Sequence, residues 1–236
     1  MVINNHYHKN EITTFQVAAT YIGTVVGAGF ASGQEILQFF GWFGLKGFWG
    51  LFLASLLFIV YGYIILKLGL KYHANSHLKV IQYAGGKWLG FLIDIIITVF
   101  LFGALTAMIA GSGALFEEQF GLPSIWGNII MVVASLITVL MGISGVISAI
   151  SFVVPLLLTG IITLASMTIA LELPYTTLTV SEMASKHPPV PYWGLSAIVY
   201  ASYNLVIAVA VLAPLGSQAN SVKKIRTGAI FGGAGL

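Results

Sequence analysis

The stretch Gly23-Thr24-Val25-Val26-Gly27-Ala28-Gly29-Phe30-Ala31-Ser32-Gly33 lies in the middle of an apolar run from about Thr13 to Phe40. Four glycines in eleven residues weaken a helix interior. The run is about 28 residues long, roughly 42 Å if helical throughout, against a hydrocarbon core of about 30 Å. An unwound segment at its centre accounts for both the glycines and the surplus length. Unwinding at that depth frees backbone carbonyls and amides, which are tolerated only where they line a cavity or bind something. The first half-helix is expected to end near Ile22 and to turn its negative dipole end toward the break. The second is expected to begin near Phe30 and to turn its positive end toward it. The first end suits a cation and the second a carboxylate. Packing is the competing reading. Gly23 and Gly27 form one GxxxG pair, and Gly29 and Gly33 another, and such pairs let straight helices approach closely. The pairs are six residues apart and do not share one face. The sequence leaves both readings open. A dinucleotide fingerprint is excluded, because Gly27-x-Gly29-x-x-x-Gly33 would need a preceding strand and a βαβ unit.

The rest of the chain sets that stretch in a bilayer. Of 236 residues, 58% are hydrophobic and 7% charged, whereas a soluble domain is about 25% charged. Mean hydropathy is +0.97. Disorder, nucleic-acid binding and a disulfide scaffold are excluded, and the absence of cysteine removes thiol chemistry and thiolate metal sites. No catalytic residue, cofactor or metal is expected. The sequence predicts an all-α transmembrane bundle with spans at about Thr13–Phe40, Phe48–Leu70, Trp88–Ala114, Pro123–Met141, Val146–Leu171 and Tyr192–Leu215. A seventh starts near Thr227. It would reach only about 15 Å by Leu236, so the chain reads as a fragment of a longer protein; an interfacial tail over 227–236 is the alternative.

Charge placement gives an orientation. With the N-terminus cytoplasmic, Lys9, Lys67, Lys71, Lys79, Lys87, Lys223, Lys224 and Arg226 fall inside, while Lys46 and Lys186 fall outside. That is a positive-inside bias. Glu117, Glu118 and Glu182 fall on outer loops. Trp42, Trp49, Trp88, Trp126 and Trp193 lie near span ends, as an aromatic belt requires.

Span six carries Ser202, Tyr203 and Asn204 near its centre, and three consecutive polar groups cannot all face lipid cheaply. They either cap a half-helix at a second break or hydrogen-bond to neighbouring helices. Spans one and six are five apart, as an inverted five-span repeat would place two binding segments. The expected organisation is a cytoplasmic tail over 1–12, a five-helix repeat over 13–171, an extracellular loop over 172–191 and the start of a second repeat over 192–236.

Gly23-Thr-Val-Val-Gly-Ala-Gly-Phe and the span pattern together resemble the amino acid–polyamine–organocation superfamily with the LeuT fold. Within it, Gln16–Phe40, with Gly-Ala-Gly-Phe-Ala-Ser-Gly-Gln-Glu, is similar to the YkvI-like bacterial membrane proteins, whose substrates are poorly defined. The resemblance implies Na⁺ ligation by the carbonyls of Gly23 and Val26. It also implies a substrate site from Thr24, Val25, Gly27, Ala28 and Gly29, faced by Ser202, Tyr203 and Asn204. In that fold span eight completes the Na⁺ site, and this chain has no span eight.

Two carboxylates remain. Glu35, beyond the break, is a candidate for coupling, for pairing with a substrate amine or for a gate, against a bland placement in outer water. Asp94 lies about six residues inside span three and is expected to snorkel or pair with Lys87 or Lys79, with proton coupling as the rival. Gly142-Ile143-Ser144-Gly145 matches the G-x-S-G of intramembrane proteases, but Ser144 is expected in a short inner loop, and the histidines (His6, His8, His73, His77, His187) all lie in the tail or loops, so no base is at hand. The function expected is a secondary transporter of the bacterial plasma membrane. It would move a small solute such as an amino acid with Na⁺ or H⁺, by alternating access around discontinuous spans one and six. The expected partners are the bilayer and the solute, with no nucleic acid. The alternatives are a non-transporting sensor or scaffold and an inactive truncated remnant.

Overall fold

Thr13 opens the first helix with a reciprocal cap. Its Oγ1 accepts from the Gln16 backbone N–H at 3.1 Å, and its own N–H donates to Gln16 Oε1 at 3.0 Å, which satisfies two otherwise orphaned donors. The computed structural model describes residues 12–26, 33–172 and 188–236. In it the helices are α1 Thr14–Val25, α2 Gln34–Phe39, α3 Leu45–Lys71, α4 His77–Phe120, α5 Ser124–Leu140, α6 Gly142–Glu172, α7 Trp193–Gln218 and α8 Val222–Ala234. A single 3₁₀ turn, Gly41–Phe43, joins α2 to α3. No strand occurs among the described residues. Helices α3, α4, α6 and α7 are long and apolar enough to cross a membrane, and α5 is apolar but shorter. The protein is a multi-pass membrane protein.

Helix α3 is the spine. Its buried residues Gly47, Gly50, Ala54, Phe58, Gly62, Leu66 and Gly69 recur every three or four positions and so form one face. Small residues on that face let three neighbours come in to backbone contact, the usual means of helix association where burial from water is not the driving force. Gly69 lies against the Ala213 carbonyl of α7, and Gly216 of α7 lies against the Leu66 carbonyl of α3. Gly62 receives the Tyr21 ring of α1, and Gly233 of α8 lies against Ile59. The Tyr21 hydroxyl donates to the Phe58 carbonyl at 2.7 Å, and Ser55 Oγ donates to the Gly233 carbonyl at 2.9 Å.

These contacts fix direction. Gly50 meets Trp193 and Gly69 meets Ala213, so α3 and α7 run parallel; Gly228 meets Val17 and Gly232 meets Tyr21, so α1 and α8 run parallel. Helices α1, α3, α7 and α8 thus make a four-helix core, with Tyr21, Phe58, Leu66, Leu212, Leu215 and Ile225 fully buried in it. Helix α6 packs on α1, and the α4–α5 pair packs on α7 and on α6. Tyr21→Phe is expected to lower stability by about 1 kcal/mol, the net worth of one buried hydrogen bond, while leaving the fold intact. A thermal melt in detergent checks this.

The structure departs from expectation in four places. Helix α7 runs unbroken through Ser202, Tyr203 and Asn204, so span six is not discontinuous. Its polar groups need no break, because Asn204 Nδ2 donates to the Tyr200 carbonyl one turn back, at 3.0 Å. Helix α8 begins at Val222, five residues before Thr227, and buries Ile225, Gly228, Ala229, Gly232 and Gly233. It is a core helix and not an interfacial tail. Helix α6 starts at Gly142, so Ser144 is helical and not in a loop; its Oγ lies 3.5 Å from Gln218 Oε1.

The fourth departure is at the start of α4. A helical run begins at His77, eleven residues before Trp88, and folds back at Gly86, whose φ of 76° and ψ of 177° are essentially reserved for glycine. The segment 77–85 therefore lies beside the membrane helix, with Gln82 against Gly90. This brings His77 Nε2 to 2.8 Å from Asp94 Oδ1. Asp94 pairs with His77, not with Lys87 or Lys79. Lys79 Nζ instead donates to the His73 carbonyl at 3.4 Å.

Candidate functional site

Helix α1 ends at Val25. Val26 is already extended (φ −71°, ψ 97°), although its N–H still reaches the Ile22 carbonyl at 2.8 Å. Helix α2 starts at Gln34, behind Gly33 in the left-handed region (φ 73°, ψ −4°). Among the described residues span one is thus divided; the first helix ends later than Ile22, and the expected start near Phe30 lies outside the described residues. Gly27, Ala28 and Gly29 lie outside the described residues, as do Lys9, Glu182 and Lys186.

The remaining candidates near this break are placed as follows. Gly23 faces α6, where a side chain would run into the methyl groups of Ile150 and Val154; here the packing reading holds. The Thr24 hydroxyl turns back to the Thr20 carbonyl at 2.7 Å and is committed to its own helix. Val25 is buried and Val26 half-buried. The N–H groups that would close the helix on the carbonyls of Gly23 to Val26 belong to residues 27–30, outside the described residues.

Across the break stands α7. Tyr203 is half-buried and Asn204 buried, while Ser202 is exposed. Glu35 stands one turn before Phe39 on α2, and the Phe39 ring packs against Tyr203 at 5.8 Å, which brings the Glu35 carboxylate close enough to interact with the Tyr203 hydroxyl. The structure thus gathers Glu35, Tyr203 and Asn204 and leaves Ser202 aside. Asp94, held by His77 at the start of α4, does not join them. Glu35 is half-buried.

Sequence reasoning missed the aromatic half of this site. Phe39 follows Glu35 by one turn, on the same face of α2. Its ring centroid lies 5.4 Å from Tyr200 and 5.8 Å from Tyr203, and those two tyrosines are 5.7 Å apart. Phe40 meets Tyr200 edge-on at 5.0 Å. Ser196 Oγ donates to the Phe39 carbonyl at 2.8 Å and so ties the end of α2 to α7. The i, i+3 spacing of Tyr200 and Tyr203 was the available signal. Thr20 was also missed. It is fully buried one turn before the break, and its Oγ1 has no hydrogen-bond partner among the described residues.

Behind α2, on the side away from α7, a crevice of about 730 Å³ is lined by Gly33, Ile36 and Leu37, by Leu51 of α3 and by Ile161, Leu164 and Thr168 of α6. Among the described residues no group of three His, Asp or Glu side chains converges to hold a metal.

The chain is similar to a membrane protein of Bacillus subtilis. It is 37% identical over 224 residues to the protein of strain 168 called uncharacterized membrane protein YkvI, a match that covers 94% of this chain and 62% of that one. It is 28% identical over 216 residues to a second protein of the same strain, called uncharacterized protein YyaD, covering 89% of this chain and 60% of the relative. The chain thus spans about three-fifths of the length of the curated relatives it matches. No family model matches it, and no solved structure does.

Proposed function

We propose that this chain is part of a YkvI-like secondary transporter of the LeuT type, which moves a small solute such as an amino acid across the bacterial plasma membrane with Na⁺ or H⁺. The observation that carries the reading is the division of span one. Helices α1 and α2 are separate, and both pack on α7, the helix that carries Tyr203 and Asn204 in a four-helix core. That core is made of spans one, two, six and seven, the pairs an inverted five-span repeat would set together. The gathering of Lys67, Lys71, Lys79, Lys87, Lys223, Lys224 and Arg226 at one end of the bundle supports a cytoplasmic N-terminus. Among the described residues span one is divided and α7 is continuous, so alternating access would work around α1–α2, with α7 as a continuous wall. No enzymatic role is proposed, because Ser144 faces Gln218 and not a base.

The test is uptake by the full-length protein in proteoliposomes, supplied with a labelled amino-acid mixture under an inward Na⁺ or H⁺ gradient. Accumulation several-fold above empty vesicles, lost when an ionophore collapses the gradient, is expected. The packing of Gly23 on α6 favours a second reading, a non-transporting sensor or scaffold. Saturable binding without accumulation would decide for it.

A further inference from the structure

We infer that the fold-back at the start of α4 is a docking surface for the phosphate headgroup of an anionic phospholipid. Lys71 and Lys79 supply its charge, and Tyr72, Tyr83 and Trp88 its aromatic ledge. This surface is independent of the transporter reading. From Asp94 to Glu117 helix α4 rises roughly 35 Å, against a hydrocarbon core of about 30 Å. The two carboxylates therefore mark where α4 enters and leaves the core. Residues 77–93 lie on the far side of the Asp94 mark, in the headgroup layer. Trp88 is 90% exposed there and Tyr83 59%, and these are the residue types that favour that layer.

Printed contacts make the surface continuous from α3 to the fold-back. Val80 and Ile81 turn inward, onto Ala74 and onto Val209 and Ala213 of α7. Lys79 and Tyr83, four residues apart, share another face, which is exposed. The Tyr83 ring meets the Tyr72 ring at 4.8 Å, and Lys71 Nζ lies 5.2 Å from the centre of the Tyr72 ring. Lys79 Nζ reaches the His73 carbonyl at 3.4 Å, two residues beyond Lys71. Trp88 follows directly after the turn at Gly86.

The charge on this surface is not spent within the described residues. Asp94, the carboxylate beside the fold-back, is held by His77 at 2.8 Å, and no described ion pair joins Lys71 or Lys79 to a carboxylate. What the two ammonium groups meet is a neutral ring and a neutral carbonyl. Lysines at a bilayer surface attract anionic headgroups, by about 5-fold in affinity for each one. The exposed rings select a lipid over a soluble anion, because an aromatic body packs on glycerol and upper acyl carbons while its polar edge stays wet.

The experiment titrates purified full-length protein, in micelles of an uncharged detergent, with phosphatidylglycerol, with phosphatidylcholine of the same chains, with inorganic phosphate and with hexaglutamate, at constant ionic strength. Binding is read as the shift in thermal unfolding midpoint. Phosphatidylglycerol is expected to raise the midpoint saturably, and the other three are expected not to. Lys71→Gln combined with Lys79→Gln should weaken phosphatidylglycerol at least 10-fold. Lys71→Arg combined with Lys79→Arg should hold it within about 3-fold. Lys223→Gln, at the start of α8, should leave it unchanged. Lys79→Gln alone, expected to weaken it about 5-fold, keeps the test open if the glutamine pair misfolds. An equal shift with phosphate or hexaglutamate would assign the surface to a soluble anion or an acidic protein segment and overturn the inference. So would an equal shift with phosphatidylcholine, no saturable shift with phosphatidylglycerol, or an undiminished shift in the glutamine variants. An equal loss in Lys223→Gln would overturn it too, by reducing the effect to the diffuse field of the basic end. The assay measures no flux, so failed uptake leaves this surface standing, and failure here leaves the transporter reading standing.

Discussion

Gly216→Leu is expected to abolish the folded protein. Gly216 sits where α7 touches α3 backbone to backbone, and the first atom of any side chain there meets the carbonyl and Cα of Leu66. A clash with a flexible side-chain tip relaxes by a rotamer change, but a clash with backbone does not. The two helices would have to separate, and they are the central pair of the bundle. Leu66, Leu212, Ala213 and Leu215 are fully buried at this contact, so separation also forfeits their packing. Local propensity runs the other way, since leucine is better than glycine inside a helix by about 1 kcal/mol. Overpacking costs typically 1–3 kcal/mol where side chains can adjust, and backbone against backbone lies at or above the top of that range. The clash therefore decides the sign. Gly69→Leu should behave the same way, because it meets Ala213 from the other helix. Gly103→Leu on α4, with nothing within 4 Å, is the control and should behave as wild type. Size exclusion and thermal melting in detergent are the measurements, and a monodisperse Gly216→Leu protein with an unchanged midpoint would refute the packing.

The same contacts explain what could be read from the sequence and what could not. Helices were legible because continuous apolar runs of this length have few other solutions in a bilayer. The interruption of span one was legible because four glycines concentrate where a helix can least use them. The continuity of α7 was not. Whether Ser202, Tyr203 and Asn204 break a helix depends on acceptors nearby, and Asn204 finds one in its own preceding turn. The hairpin at Gly86 was illegible for a different reason. Residues 77–85 are too short and too polar to register as a span, and their apolar members Val80 and Ile81 are buried only because the fold brings α7 and Ala74 to them. With the hairpin missed, His77 was read as a loop histidine and Asp94 was given the wrong partner. For Glu35, one turn of short helix decides which neighbour it meets, and sequence spacing gave no sight of Tyr203.

Under the proposed transporter function, Gly33→Val in the full-length protein is expected to cut uptake about 30-fold with little loss of folded protein, whereas Gly33→Asn should keep most of it. Gly33 sits at φ 73° directly before α2, and nothing lies within 4 Å of where a side chain would start. A clash is therefore not at issue, and the effect comes from the backbone alone. An L-residue in the left-handed region costs roughly 1–2 kcal/mol, and more when it is β-branched, while asparagine adopts that region readily. About 2 kcal/mol changes a two-state ratio by about 30-fold. Relief of that strain means turning Gly33 into the right-handed region, which swings α2 away from α7. The parts carried by α2 are Glu35, Phe39 and the Phe39 carbonyl bound by Ser196. Their loss would undo the site without opening the contacts of α3 with α7 and α8, on which folding depends. The expected result is uptake reduced about 30-fold in the valine variant, with a melting midpoint within a few degrees of wild type, and uptake within about 3-fold of wild type for asparagine. Wild-type uptake with valine would show that the orientation of α2 is irrelevant to transport. Equal loss with asparagine would show that the glycine is needed for something other than its left-handed backbone.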